Sequence, residues 1–83
     1  MPWYDIVWDD TPGGNVDHLA EHGVTTTEAE HVIMHPAKVE HSRSSGRIIA
    51  FGRTDTGRML AVVYELLGDN ITVLPITAFD LED

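Results

Sequence analysis

Between Arg47 and Glu65 the chain reads as two alternating stretches around a polar turn, and this pattern constrains the fold more than any other feature. Arg47 to Arg53 and Arg58 to Glu65 flank Thr54-Asp55-Thr56-Gly57, whose glycine can take the positive φ that a tight connection needs. A β-hairpin is predicted. Closed symmetrically about a four-residue loop, it sets Arg53 opposite Arg58, Phe51 opposite Leu60, Ile49 opposite Val62 and Arg47 opposite Tyr64. Those eight side chains then share one face, and Ile48, Ala50, Met59, Ala61 and Val63 take the other. The sheet would be apolar on both sides, and only one side can meet the rest of so short a chain. Arg53 and Arg58 would repel as neighbours, which an anion between them would relieve. A slip of one residue exchanges the faces and removes that pair.

The first half has a helical period instead. Tyr4 to Trp8 reads as a first strand, stopped by the turn-rich Asp9-Asp10-Thr11-Pro12-Gly13-Gly14, with Trp3, Tyr4 and Trp8 as core or rim aromatics. A short helix is predicted from Asn15 to His22, with Val16, Leu19 and Ala20 inward and Gly23 as its left-handed terminator. Thr25-Thr26-Thr27-Glu28 spells a capping box, with Val24 and Ala29 as the hydrophobic staple. The second helix should run to Met34 with Ala29, Val32 and Ile33 inward, because Pro36 forbids continuation past His35. After the hairpin, Leu67-Gly68-Asp69-Asn70 turns the chain into a last strand, Ile71 to Thr77, whose Pro75 belongs at a sheet edge or bend. The predicted order is β-α-α-β-β-β, an α+β fold with an antiparallel sheet and two short helices on one face.

At 83 residues this is one domain, residues 1–83, with a thin core. Without cysteine there is no disulfide framework and no thiolate metal site, so stability rests on packing and on any self-association. No basic stretch leads into an apolar run of signal-peptide length. The longest apolar run, Met59 to Tyr64, is far too short to cross a bilayer, so no membrane role and a cytoplasmic location are expected. Charge weighs against nucleic acid, because the net is −9 and nucleic-acid binders are usually basic. The first forty residues set Lys38 alone against eight carboxylates, whereas all four arginines, Arg43, Arg47, Arg53 and Arg58, fall within sixteen residues. A local basic face on an acidic body is expected, with little long-range pull on RNA. Direct DNA binding is not expected, since no basic recognition helix is present.

Trp8-Asp9, Asn15, His22-Gly23-Val24, Gly46 to Thr54, Gly57-Arg58, Leu60, Val62-Val63-Tyr64 and Ile76-Thr77-Ala78 carry a resemblance. Taken in this order, over roughly residues 8 to 78, they resemble the BrnT family of small toxins. The resemblance implies a RelE-like ribonuclease fold, membership of a type II toxin–antitoxin system, and a BrnA-like antitoxin as protein partner. A metal-independent ribonuclease needs a base for the 2′-hydroxyl, a positive charge for the phosphorane oxygens and an acid for the leaving oxygen. Arg47, Arg53 and Arg58 match recurring family positions, and Tyr64 is suited to stacking a base or donating a proton. These four are the candidate catalytic residues, with no cofactor and no metal. The chain departs from the family where Phe79 follows Thr77-Ala78 in place of an arginine, and where Gly13-Gly14 replaces a lysine. Asp80-Leu81-Glu82-Asp83 stands where the family has a charged helix. Losing a transition-state charge costs several kcal/mol, so weakened or lost RNA cleavage is expected.

Two alternatives stand beside this reading. A non-enzymatic interaction module would bind an antitoxin-like partner or a second copy of itself, covering whichever sheet face the helices leave open. The acidic body would suit a basic partner, chiefly through the association rate. Five histidines raise metal binding as the other. His18-Leu19-Ala20-Glu21-His22 matches the helical string of inverted zinc proteases, but those need a larger fold and a distant third ligand. His31 and His35 lie four apart and can pair on the second helix. The plain reading of all five is exposed histidines on acidic helices.

Overall fold

The structure, a computed structural model, describes residues 4–42 and 46–81. It is α+β: β1 (Asp5–Ile6), α1 (Asn15–Glu21), α2 (Thr26–Met34), β2 (Lys38–His41), β3 (Ile48–Arg53), β4 (Met59–Leu66) and β5 (Thr72–Asp80). The strands form one sheet in the order β1-β5-β4-β3-β2. Leu19 of α1 and Ala29, Val32 and Ile33 of α2 join one apolar cluster with Ile48, Ala50, Leu60, Val62, Tyr64, Val73 and Ala78. Both helices therefore lie on the same face. Leu19, Val32, Ile33, Leu60, Val62 and Val73 are fully buried, each stabilising the fold by about 1.5–3 kcal/mol. No helix among the described residues is long and apolar enough to cross a membrane.

The helical half follows its local code. Gly23 holds φ at +72° after α1. The Thr25 side chain accepts the Glu28 amide while the Glu28 carboxylate accepts the Thr25 amide, which completes the capping box. Ala29, Val32 and Ile33 are the buried residues of α2, as their spacing predicts. In α1 only Leu19 is buried; Val16 is half-buried and Ala20, expected inward, is exposed, because a seven-residue helix has too few turns to bury a wider stripe. Tyr4 and Trp8 pack at the margin of the core, and the Trp8 indole N–H donates to Glu30 across to α2. Trp3 and Arg43 lie outside the described residues.

The sheet corrects the expected topology in three places. It is mixed and not wholly antiparallel, because β1 runs parallel to β5. That pairing joins the two ends of the chain and leaves no local signal in the sequence. An additional strand, β2, pairs antiparallel with β3; all four of its residues are exposed, so it has no apolar alternation to betray it. The last strand runs on to Asp80, past the expected end at Thr77. Pro75 is accommodated where β1 has already left β5, beside a register shift at Val63/Tyr64. There the Asn15 amide donates to the carbonyls of both Val7 and Pro75, each at 3.0 Å, tying the chain's two ends to the start of α1.

The hairpin forms, but one residue out of the expected register. Arg53 faces Met59, Phe51 faces Ala61, Ile49 faces Val63 and Ile48 faces Tyr64. The cause is the loop. The Thr54 amide donates to the Arg58 carbonyl (2.8 Å) and the Gly57 amide to the Thr54 carbonyl (3.0 Å), so Thr54 belongs to the ladder and only three residues make the turn. Gly57, at φ +92°, takes the left-handed position that closes such three-residue loops. Arg58 then shares a face with Thr54, Leu60 and Val62, under the helices, and Arg53 lies on the opposite face. The expected Arg53–Arg58 pair and the anion between them are not formed.

Candidate functional site

The register divides the four residues singled out from the sequence among separate surroundings. Arg58 reaches into the helix layer, where its Nη1 donates to both Glu28 carboxylate oxygens (3.0 and 2.8 Å) and to the Gly23 carbonyl (3.0 Å). Its Nε donates to Asp80 at 3.0 Å. The guanidinium thus ties the α1–α2 turn, the first turn of α2 and the end of β5 together. The hydrogen bonds it donates to Asp80 and to Glu28 raise its pKa above the ordinary value. Burial pushes the Glu28 carboxyl up, but the Thr25 amide and Arg58 outweigh it and hold it below the usual carboxylate range.

Tyr64 lies on the same helix-covered face, 3% exposed, within the core cluster. Burial, followed by the neighbouring Tyr4, raises its pKa. Stacking a base or protonating a leaving group would require that core to open. Arg47 and Arg53 are on the other face. Arg47 pairs with Glu65 across the hairpin at 3.5 Å, and Arg53 donates to the Gly57 carbonyl at 2.8 Å. Six residues of strand separate these two arginines, about 20 Å at the usual rise, so they cannot grip one phosphate together. Position and geometry therefore bring Arg58 onto acidic partners, Tyr64 into the core, and Arg47 and Arg53 to opposite ends of an exposed surface.

That surface is the sheet face away from the helices. Ile49, Phe51, Met59 and Val63 are half-buried there, and Phe79 is 39% exposed. Among the described residues nothing covers this face. Lys38 and Glu40 of β2, 3.6 Å apart, continue it to the sheet edge. Sequence reasoning anticipated an open apolar face but assigned the wrong partners within it. It also missed Glu28 and Asp80 as the partners of Arg58. The capping box had accounted for Glu28, whose second carboxylate oxygen was the remaining signal.

The histidines do not assemble a metal site. His31 and His35 place their rings 5.1 Å apart on the outer side of α2, along a shallow groove with Thr27, Glu30 and Met34. No group of three metal-ligating side chains occurs among the described residues. His18 approaches Glu21 at 4.0 Å on exposed α1, and the two do not converge with a third ligand. Comparison with family models, with curated proteins and with solved structures returned no match.

Proposed function

We propose that the chain is a BrnT-like, toxin-type scaffold with a RelE-like fold, whose retained role is to hold a protein partner, and whose capacity to cut RNA is weak or lost. The observation that carries this reading is the separation of Arg47, Arg53, Arg58 and Tyr64 onto two faces of the sheet. Phosphodiester cleavage needs a base, a positive charge and an acid around one phosphate, whereas here Arg58 is already held by two carboxylates. Phe79 in place of the family's late arginine points the same way. An apolar sheet face without a cover is what a BrnA-like antitoxin would occupy in this reading, in the cytoplasm, and the interaction-module alternative rests on the same face. RNA contact by Arg47 or Arg53 at the rim is compatible with it, without the acid and base that cleavage requires.

The test is incubation of a mixed RNA with purified protein in chelator, beside an Arg47→Ala variant prepared identically. The expected result is intact RNA with both proteins. Cleavage by the parent that Arg47→Ala abolishes would restore the full ribonuclease reading and overturn the proposal.

A further inference from the structure

The two edges of the sheet differ. β1 offers two residues, whereas β2 offers Lys38–His41, all exposed and with no described strand beyond them. The Ser42 amide donates to the Arg47 carbonyl (2.8 Å), which sets the phase of the β2–β3 ladder. Bonding alternates along an antiparallel strand, so Glu40 and Lys38 also bond inward to β3, while Val39 and His41 turn their N–H and C=O groups outward. Such groups are a template for another strand.

A second copy of this chain fits the template in one register. Outward groups must meet outward groups, so an antiparallel self-pairing within β2 sets Val39 opposite either Val39 or His41 of the second copy. The His41 register places Glu40 directly against Glu40, which is destabilising. The Val39 register places Lys38 against Glu40 of the second copy, twice over by symmetry, and brings together two Val39 side chains that are 40% exposed in the single chain. Lys38 and Glu40 already point to the same face, as their 3.6 Å ion pair requires. We propose that β2 is a homodimerisation edge, two chains joining by antiparallel pairing of Lys38–His41 about Val39 so that one sheet runs through both. The net charge of −9 on each chain opposes association at long range. Salt near physiological strength screens that repulsion beyond about 8 Å and leaves the short contacts. Lys38 and Glu40 border the open sheet face, but the pairing is made by the outward backbone groups of Val39 and His41 and does not depend on what covers that face.

Sedimentation or light scattering over about a hundredfold range of concentration tests it, because short interfaces associate weakly. Val39→Pro removes the outward N–H, a change that edge strands tolerate. Lys38→Glu and Glu40→Lys each set like charges opposite in self-pairing, yet mixed together make every cross-strand pair opposite in sign. The expected results are self-association of the parent at physiological salt, weakening at low salt, and a monomeric Val39→Pro variant. Each single charge variant should associate about tenfold more weakly than the parent, with dimer recovered on mixing them. A parent that stays monomeric throughout would overturn the proposal. So would a dimer that Val39→Pro leaves intact, or charge variants that fail to recover on mixing; the charge variants decide should Val39→Pro fail to fold.

Discussion

The helix-covered and open faces of the sheet are built from the same strands with the same alternation, yet they carry different tasks. Ala50, Leu60, Val62, Val73 and Ala78 on the covered face are fully buried, whereas Phe79 on the open face is 39% exposed. Two short helices can cover only one side. The strands supply a second apolar set, in which Ala61 is fully buried but Ile49, Phe51, Met59 and Val63 are only half-buried, and an open apolar set of this kind is suited to binding. The arginines repeat the contrast. Arg58 on the covered side is fixed by Glu28, Asp80 and the Gly23 carbonyl, while Arg53, a few residues earlier, meets the hairpin carbonyl of Gly57 on the exposed side.

The largest expected difference lies in the cores of the two faces. Leu60→Ala should lose about 2–5 kcal/mol of unfolding free energy in urea titration, and Phe79→Ala less than about 1 kcal/mol. Equal losses would erase the distinction. Next, Arg58→Ala should lower the melting temperature clearly more than Arg53→Ala or Arg47→Ala, because Arg58 joins three segments and its loss leaves Glu28 and Asp80 without their shared cation. Thr25→Ala removes the cap from α2 and should cost about 1 kcal/mol, which calorimetry can resolve.

The smallest effect concerns acid. Glu28 is held below its ordinary 4.5, so its stabilising contribution is present above that value and lost as pH falls through the lower folded value. Asp69 accepts from the Thr72 hydroxyl and from the Thr72 and Ile71 amides, which lower its pKa from 3.8 to about 2. Its share is lost between those two values. Melting temperature should be flat toward neutrality and fall below about 4.5, and Asp69→Asn should flatten only the most acidic part of the curve.

What was legible in the sequence was local. The capping box, Gly23 and Pro36 bound α2 within a few residues, and each acts through its nearest neighbours. The hairpin was legible as a hairpin, but its register depended on whether Thr54 belonged to the loop or the ladder, and both are compatible with the same residues. That one step set Arg47 and Arg53 on the face opposite Arg58 and Tyr64, all four having been expected on one face, and dispersed the candidate site. β2 was invisible because an exposed edge strand needs no apolar pattern, and the parallel β1–β5 pair because it joins residues at opposite ends of the chain. Asp80 as a partner of Arg58 became visible only with the longer β5.

Binding of an apolar fluorescent dye to the native protein, measured beside an Ile49→Thr/Phe79→Thr variant and with melting followed in the same samples, tests the division of the two faces most directly. The expected result is dye binding by the parent that the double variant loses while its melting temperature changes far less than that of Leu60→Ala. A parent that binds no dye, or a double variant that unfolds as readily as Leu60→Ala, would contradict it.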